Sequence, residues 1–343
     1  MYPETPGGNR IVEIGGGAFE TGRALGRLHA RAVAERLVGE PAWREVIQRG
    51  RSDERVPAML AQVEERFPDI LLELKGLADG LGQDFADVFA WNCRGDLWAM
   101  APDGCTTVRF PGETAHVVGH NEDGMPVLAG HCALVRVSPT QGRSFTAFTY
   151  PGSLPGHTFG MNAAGLVSTV NNIRSLQAQA GVPRMVLTRA VLGAATLDEA
   201  LDLIRTSPRA GAFHLTLAQR GDPRLMAVEF TGTRVSVEQI TAPSAHANHL
   251  VHADMTDLPQ IVTDSSLHRQ RRADRLLATD KPSRGDELRI LFDRGDAALP
   301  IHRSAPDDPD HENTLATAVF SIQADRVEWA VYDGDAAAAR AAA

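Results

Sequence analysis

Cys105 sits in the stretch DGCTTV, Asp103 to Val108, with a glycine before it and a β-branched run after it. A cysteine at the first residue of a strand suits one special chemistry. If the peptide bond between Gly104 and Cys105 is cut, Cys105 becomes a chain terminus carrying both a thiol and a free α-amine. Such an amine has a pKa of about 7.7–8, close to the working pH that a general base needs. Nucleophile and base then share one residue, and no separate histidine or lysine is required. The thiol can also make the cut itself: attack on the Gly104 carbonyl carbon gives a thioester, which water hydrolyses. Glycine at 104 is expected to tolerate the strained backbone of that attack. The plainer reading of the same cysteine is a small buried hydrophobe at a strand start.

Asp123 follows Cys105 by 18 residues in GHNEDG. On a neighbouring strand or its turn, its carboxylate would hold the α-amine by a charge-assisted hydrogen bond or assist the cut. It also fits as a turn aspartate before Gly124. Asn121 and Glu122 line the same place or merely close the turn. Asn248, in HANH, offers a side-chain NH2 to an oxyanion, worth roughly 3 kcal/mol of barrier, or it caps a turn. Thr106 and Thr107 offer hydroxyls and are also good strand residues. His246, His249 and His252 have the close spacing of zinc ligands. No carboxylate or thiol completes that set nearby in the chain, so no metal and no cofactor is assigned. Arg269 and Arg272 read as a solvated face or as ion-pair partners.

These residues need elements to position them. Residues 18 to 100 read mainly as helix. Leu25, Leu28, Ala32 and Val33 lie on one side of the first, and Gly22 and Gly26 form a small-residue stripe for close approach. FPDILLELKGLADGLG places Pro68 in a first turn, and DFADVFAWNCRGDLWAM reads as a third helix. From Cys105 onward, CTTVRF, HVVGHN, ALVRVS, SFTAFTY and LVSTV are short strands punctuated by Gly, Pro and Asn. Two helices follow, the second opened by a Thr196–Glu199 capping box. FHLTLAQ, RLMAVEF and RVSVEQI are strands, SSLHRQRRADRLLAT a charged helix, and TLATAVFSI and RVEWAVY closing strands. Hairpin-like groups of strands suggest antiparallel sheets, and separate helical blocks suggest outer layers. The expected class is α+β, a four-layer αββα sandwich. It would be one structural domain: a helical amino-terminal portion, 1–104, a catalytic portion, 105–335, and a disordered tail, 336–343.

Composition bounds the partners. The 343 residues carry a net charge of -9, with 43% hydrophobic and 6% aromatic residues. An acidic balance argues against nucleic acid, whose phosphates need clustered Lys and Arg. No apolar run approaches the roughly 20 residues that span a bilayer, so no membrane partner is expected. The amino terminus shows no basic stretch followed by an apolar one, so no secretory signal is read. Three cysteines, Cys93, Cys105 and Cys132, with no CxxC spacing suggest no disulfide framework. A cytoplasmic, reducing compartment is the expectation.

ETGRALGRLHA, FPDILLELKGLADGLG, DGCTTV, GHNEDG, GMNAAGLVSTVNN, HANHLVH, DSSLHRQRRADRL and TLATAVFSI follow one another along most of the chain. In that order they resemble the isopenicillin N acyltransferase family, a branch of the N-terminal nucleophile hydrolases. The GHNED wording is similar to the branch that hydrolyses β-alanyl amides of biogenic amines. The resemblance implies the αββα fold, and maturation by self-cleavage into residues 1–104 and 105–343, which stay together as partners. It implies Cys105 as nucleophile, Asp123 as the acid and Asn248 in the oxyanion hole, with Asn171 and His311 near the site. Two departures stand out. An aromatic residue often follows the acid, and Gly124 stands there, which would widen the pocket. An arginine lies before the late Thr-Leu strand in the acyltransferase members. Here the stretch is DHENTL, with His311 near that place, which points away from penicillin-type chemistry.

The expected activity is a self-processing cysteine amidase acting on a small-molecule linear amide, with a small acyl or aminoacyl group on an amine or amino acid. The alternative is an acyltransferase moving an acyl group to an amine of a peptide-like product. A non-catalytic scaffold and a zinc hydrolase built on the histidine cluster are the readings from other classes. The oligomeric state is not assigned.

Overall fold

The computed structural model describes residues 11–278, 285–296, 298–305 and 307–333. The tail expected at 336–343 lies outside them. The amino-terminal portion runs β1 (Val12–Gly16), α1 (Ala18–Ala32), α2 (Pro41–Ser52), α3 (Val56–Arg66), α4 (Pro68–Leu81), α5 (Phe85–Asn92) and α6 (Arg94–Leu97). Pro68 opens α4, where its missing N–H removes no helical bond. The single helix expected over 84–100 is instead α5 and α6, divided at Cys93. The division falls where the Asn92 side chain is drawn into a neighbouring loop. Its Nδ2 donates to the Gly152 carbonyl at 3.0 Å and its Oδ1 accepts from Leu154 N–H at 2.8 Å.

The close approach expected of Gly22 and Gly26 is made to α4, which answers with Gly76 and Gly80. A Cβ at Gly22 would overlap the Glu73 carbonyl, and one at Gly76 the Phe19 carbonyl. The two backbones therefore touch. The buried stripe of α1 passes through Thr21, Gly22, Leu25, Gly26, His29 and Ala32. Leu28 falls on its flank and is 38% exposed, contrary to expectation.

The strands then begin: β2 (Gly104–Phe110), β3 (Ala115–Gly124), β4 (Ala133–Pro139), β5 (Phe145–Thr149), β6 (Phe159–Asn162) and β7 (Leu166–Asn172). α7 (Arg184–Val191) and α8 (Leu197–Thr206) follow, the latter capped as expected by Thr196 Oγ1, which accepts from Glu199 N–H at 3.0 Å. β8 (Phe213–Gln219), β9 (Leu225–Phe230), β10 (Val235–Gln239), β11 (Ser244–His246), α9 (Asp264–Ala278), α10 (Asp286–Leu291), β12 (Asn313–Gln323) and β13 (Val327–Asp333) complete the described chain.

Two sheets result. One has eight strands in the order β1-β4-β5-β6-β7-β8-β9-β10, the other five in the order β11-β2-β3-β12-β13. All pairs are antiparallel except β1 with β4. That pair can be parallel because the connection between the two strands is long, running through α1–α6 and through β2 and β3 of the other sheet. The sheets pack through β2 and β7. α1 lies on β1 and β4, α8 on β8, and α7 joins α4 to α8. On the opposite side α9 and α10 cover β11, β2, β3 and β12 through an apolar patch that includes Val108, Val117, Ala273 and Leu291. The chain is thus the α+β, four-layer helix–sheet–sheet–helix sandwich expected. Among the described residues no helix is long and apolar enough to cross a membrane.

Candidate active site

Strand alternation sorts the candidate residues. β2 and β3 pair with Gly104 opposite Asp123, Cys105 opposite Glu122 and Thr106 opposite Asn121. Successive side chains point to opposite faces. Cys105, Thr107, His120 and Glu122 therefore face the eight-stranded sheet. Thr106, Asn121 and Asp123 face α9, α10 and the segment before β12.

Gly104 and Cys105 are gripped on both sides. Before them, the Asp103 carboxylate takes two bonds of 2.9 Å from Arg94, and its carbonyl accepts from Asn172 Nδ2 at 2.8 Å and Arg174 Nη1 at 3.2 Å. After them, Cys105 N–H donates to Asn248 Oδ1 at 3.0 Å, and the Cys105 carbonyl accepts from Arg269 Nη1 at 2.6 Å. Gly104 lies in regular strand, not in a left-handed conformation. Space in the resting structure also calls for glycine: a Cβ there would overlap the Glu312 carboxylate, with Arg303 close behind.

The thiol is fully enclosed. Cys105 Sγ lies 3.7 Å from Glu122 Oε2, and the Asp123 N–H also bonds it. Burial, with Glu122, Asp123 and Asp103 nearby, pushes the thiol pKa well above its usual value. Glu122 accepts from the Tyr150 hydroxyl at 2.6 Å on Oε1 and lies 3.0 Å from His120 Nε2 on Oε2. Burial drives its pKa far up as well. Behind His120 the polar chain continues through Thr107 and Asn171 to His214, which stacks on His246 at 3.6 Å. The interior between the sheets is therefore polar at its centre.

On the other face, Asp123 Oδ1 accepts from Thr314 Oγ1 at 2.7 Å. A bulge at Thr314/Ala316 in β12 brings that hydroxyl into reach. Asp123 Oδ2 is buried without a hydrogen-bond partner among the described residues. Burial lifts this carboxyl to about 6, against the pull of Arg269 and Arg303. Thr106 Oγ1 accepts from Arg269 at 2.8 Å. Asn121 points away from the thiol: its Nδ2 donates to the Leu291 carbonyl and its Oδ1 accepts from Thr317. Asn171 belongs to the polar chain between the sheets. Asn248 turns its carbonyl oxygen to Cys105, and its NH2 donates to the Asn172 carbonyl at 3.0 Å.

Three readings from the sequence are corrected here. Arg269 is no solvated residue: it is 1% exposed and binds Cys105, Thr106 and Asn248 together. Gly124 opens no pocket, because the Tyr150 hydroxyl and Leu315 fill the space above it. His311 has a left-handed backbone, φ 55°, and its exposed side chain lines a cavity beside Pro102, while its neighbour Glu312 is buried beside Gly104, paired with Arg174 and Arg303. The histidines of HANHLVH do not converge. His246 faces Glu229 at 2.8 Å and His249 faces Ser266 at 2.8 Å, whereas His252 lies toward Glu238. Carboxylates do come near the last of them, since Glu238 and Asp254 bring oxygens within 4.8 Å of its ring nitrogen. Arg272 pairs with Asp293, as expected.

Sequence reasoning missed Arg269, Arg303, Glu312, Tyr150 and His120. Arg269 left a signal: it shares an i, i+4 spacing with buried Ser265, Ala273 and Leu277.

Next to Pro102 and Arg174 a cavity of about 670 Å³ opens, walled by Trp98, Met100, Met125 and Val127 and edged by Asp310. It is apolar with few polar groups, as small-molecule sites are.

Comparison with known proteins adds three findings. A family model described as acyl-coenzyme A:6-aminopenicillanic acid acyl-transferase matches residues 110–335. The match begins after Cys105 and includes Asp123 and Asn248. The β-alanyl-dopamine/carcinine hydrolase of Drosophila melanogaster is 27% identical over 223 residues, 58% of this chain and 55% of that protein. The chain thus spans about half the length of that curated relative. The penicillin V acylase of Agrobacterium tumefaciens has 16% identity, with 66% of this chain and 85% of that one covered and a TM-score of 0.41.

Proposed function

The chain belongs to the acyl-coenzyme A:6-aminopenicillanic acid acyl-transferase family, and from that premise we propose that it is a self-processing cysteine amidohydrolase of the N-terminal nucleophile type. Cleavage between Gly104 and Cys105 yields residues 1–104 and 105–343, which remain together. The freed α-amine, held at Asn248 Oδ1, takes the thiol proton, and Cys105 Sγ attacks the carbonyl carbon of a linear amide. The Asn248 NH2 has two donors, and only one is spent on Asn172. The second meets the oxyanion. The amine product leaves, and water resolves the thioester.

The observation that carries this reading is the double grip on the Gly104–Cys105 link, with Arg94, Asn172 and Arg174 before it and Asn248 and Arg269 after it. The apolar cavity beside Pro102 suits a small acyl or aminoacyl group, and the name of the fly relative suggests β-alanyl amides of amines as first substrates. The family's name favours a second reading, in which an amine replaces water and the enzyme is an acyltransferase. A cytoplasmic, reducing home keeps the thiol free in either case.

Intact mass under denaturing conditions tests the proposal. Purified protein should give two chains split before Cys105, and Cys105→Ala one. Release of free amine from β-alanyl amides should need the split form. A wild-type chain that stays whole yet hydrolyses these amides overturns the reading. Activity that appears only with an added amine acceptor selects the acyltransferase.

A further inference from the structure

The self-cleavage proposed above, on which this inference rests, begins before any α-amine exists. The first deprotonation of Cys105 needs another base, and hydrogen-bond accounting identifies it. Asn171 Nδ2 donates to the His246 carbonyl at 3.0 Å, which can only accept, so Asn171 Oδ1 faces Thr107 Oγ1 at 2.7 Å and His214 Nδ1 at 3.0 Å. The other end agrees: Arg109 Nη1 donates to His214 Nε2, which leaves the His214 proton on Nδ1. The Thr107 hydroxyl hydrogen is thus spent on Asn171. Thr107 Oγ1 can then only accept from His120 Nδ1, at 2.8 Å. His120 is neutral, since burial lowers its pKa to about 3, and its one proton is on Nδ1. Its Nε2 is a bare lone pair, 3.0 Å from Glu122 Oε2. Two lone pairs do not bond, so the hydrogen in that contact belongs to the Glu122 carboxyl. Its raised pKa agrees.

We infer that Cys105, Glu122 and His120 form a proton relay that starts the self-cleavage. As Cys105 Sγ attacks the Gly104 carbonyl carbon, its proton passes to the Glu122 carboxyl, which gives its own proton to His120 Nε2. The electron pair of the carbonyl goes to its oxygen. The relay then runs back: His120 returns a proton to Glu122, and Glu122 gives up the proton it took from the thiol to the Cys105 nitrogen as the C–N bond breaks. Gly104 is left as a thioester on Sγ and Cys105 with a free amine, and one water hydrolyses the thioester. Tyr150 positions the carboxyl by donating to Oε1. The charged and titratable groups facing the thiol are Glu122, Asp123, Asp103 and Tyr150, with Arg269 on the Cys105 carbonyl.

The test follows chain scission of the full-length protein by intact mass. General acid–base help of this kind is worth on the order of 100-fold or more. Glu122→Gln should therefore accumulate as an uncleaved chain with an unchanged circular dichroism spectrum. Its residual scission after purification should rise about tenfold per pH unit from 7 to 9, because hydroxide must then take the thiol proton. A merely misplaced thiol would be slowed without acquiring that slope. Should Glu122→Gln misfold, His120→Gln carries the same two expectations. Scission as complete as in wild type, or slowed equally at every pH, overturns the relay. If wild type itself is not cleaved, the proposed function fails first. If wild type and Glu122→Gln both cleave fully, only the relay falls.

Discussion

Two arginines three residues apart on α9 have opposite surroundings. Arg269 is sealed in and divides its donors among the Cys105 carbonyl, Thr106, Asn248 and Ser265. Arg272 holds Asp293 at the surface, 29% exposed. A lysine has one ammonium group and cannot serve four acceptors in a fixed fork. Each buried acceptor left without a partner destabilises by about 1–3 kcal/mol. Arg269→Lys is therefore expected to lower stability by roughly 2 kcal/mol or more and to slow chain scission, whereas Arg272→Lys should change stability by less than about 1 kcal/mol. Urea unfolding and intact mass on the two variants check this; equal effects would contradict it. The sequence offered Cys105, Gly104, Asp123, Glu122 and Asn248 by their motifs. It hid Arg269 because the surrounding run, HRQRRADR, is so charged that its place on the buried stripe is masked. Glu312 was hidden for another reason. Its role depends on two arginines, Arg174 and Arg303, which only the fold brings to Gly104.

At the scale of elements, the contact between α1 and α4 is made of backbone as much as of side chains. Most of the longer strands and helices are readable from period and punctuation, whereas α2 and α3 are covered only as part of a helical 18–100, and the short β6, β11 and α10 are not distinguished. Hydrophobic spacing is local, and most of these elements bury one face against a neighbour. β1 was not read, because five residues at a sheet edge carry too little pattern, and its parallel partner arrives about 120 residues later, as the Val12–Val135 pairing shows. The glycine stripe on α1 was readable, but not its depth. Its consequence is testable: a methyl group at Gly22 has the Glu73 carbonyl and Leu77 N–H in its way, and α4 cannot yield without moving. Overpacking of this kind is worth about 1–3 kcal/mol. Gly22→Ala should lower the free energy of unfolding by that amount. Gly39→Ala, where nothing lies within 4 Å, should shift it by less than about 0.5 kcal/mol. Urea midpoints on Cys105→Ala backgrounds, which keep a single chain, give the comparison. An unchanged Gly22→Ala would mean that the helices are not in backbone contact.

The molecule as a whole must hold together if its chain is cut before Cys105. The amino-terminal portion is tied to the rest by β1 in the eight-stranded sheet, by Glu73 with Arg189 at 2.8 Å, and by His29 with Thr149 at 3.1 Å. It is also tied by a less settled contact. Asp96 of α6 is buried against Gly211 and the backbone N–H of Arg184, and its Oδ2 has no hydrogen-bond partner among the described residues. Burial lifts its carboxyl from 3.8 to about 7, with Arg184 pulling the other way. Between those two values the folded chain holds a proton that the unfolded chain has released. Stability from this group is therefore complete below about pH 4 and is lost as pH rises toward 7, at ~1.4 kcal/mol per pH unit; above that both states are ionised and the slope ends. Asparagine is nearly the same size and never ionises. On the single-chain Cys105→Ala background, Asp96→Asn should match its parent near pH 4 and exceed it in stability at pH 8. Thermal melts from pH 4 to pH 8 would show the two curves parting as pH rises. Curves that stay parallel, or that converge toward pH 8, would mean Asp96 is ionised in the folded state throughout, held by Arg184, and would make it an ion-pair tie between the two halves.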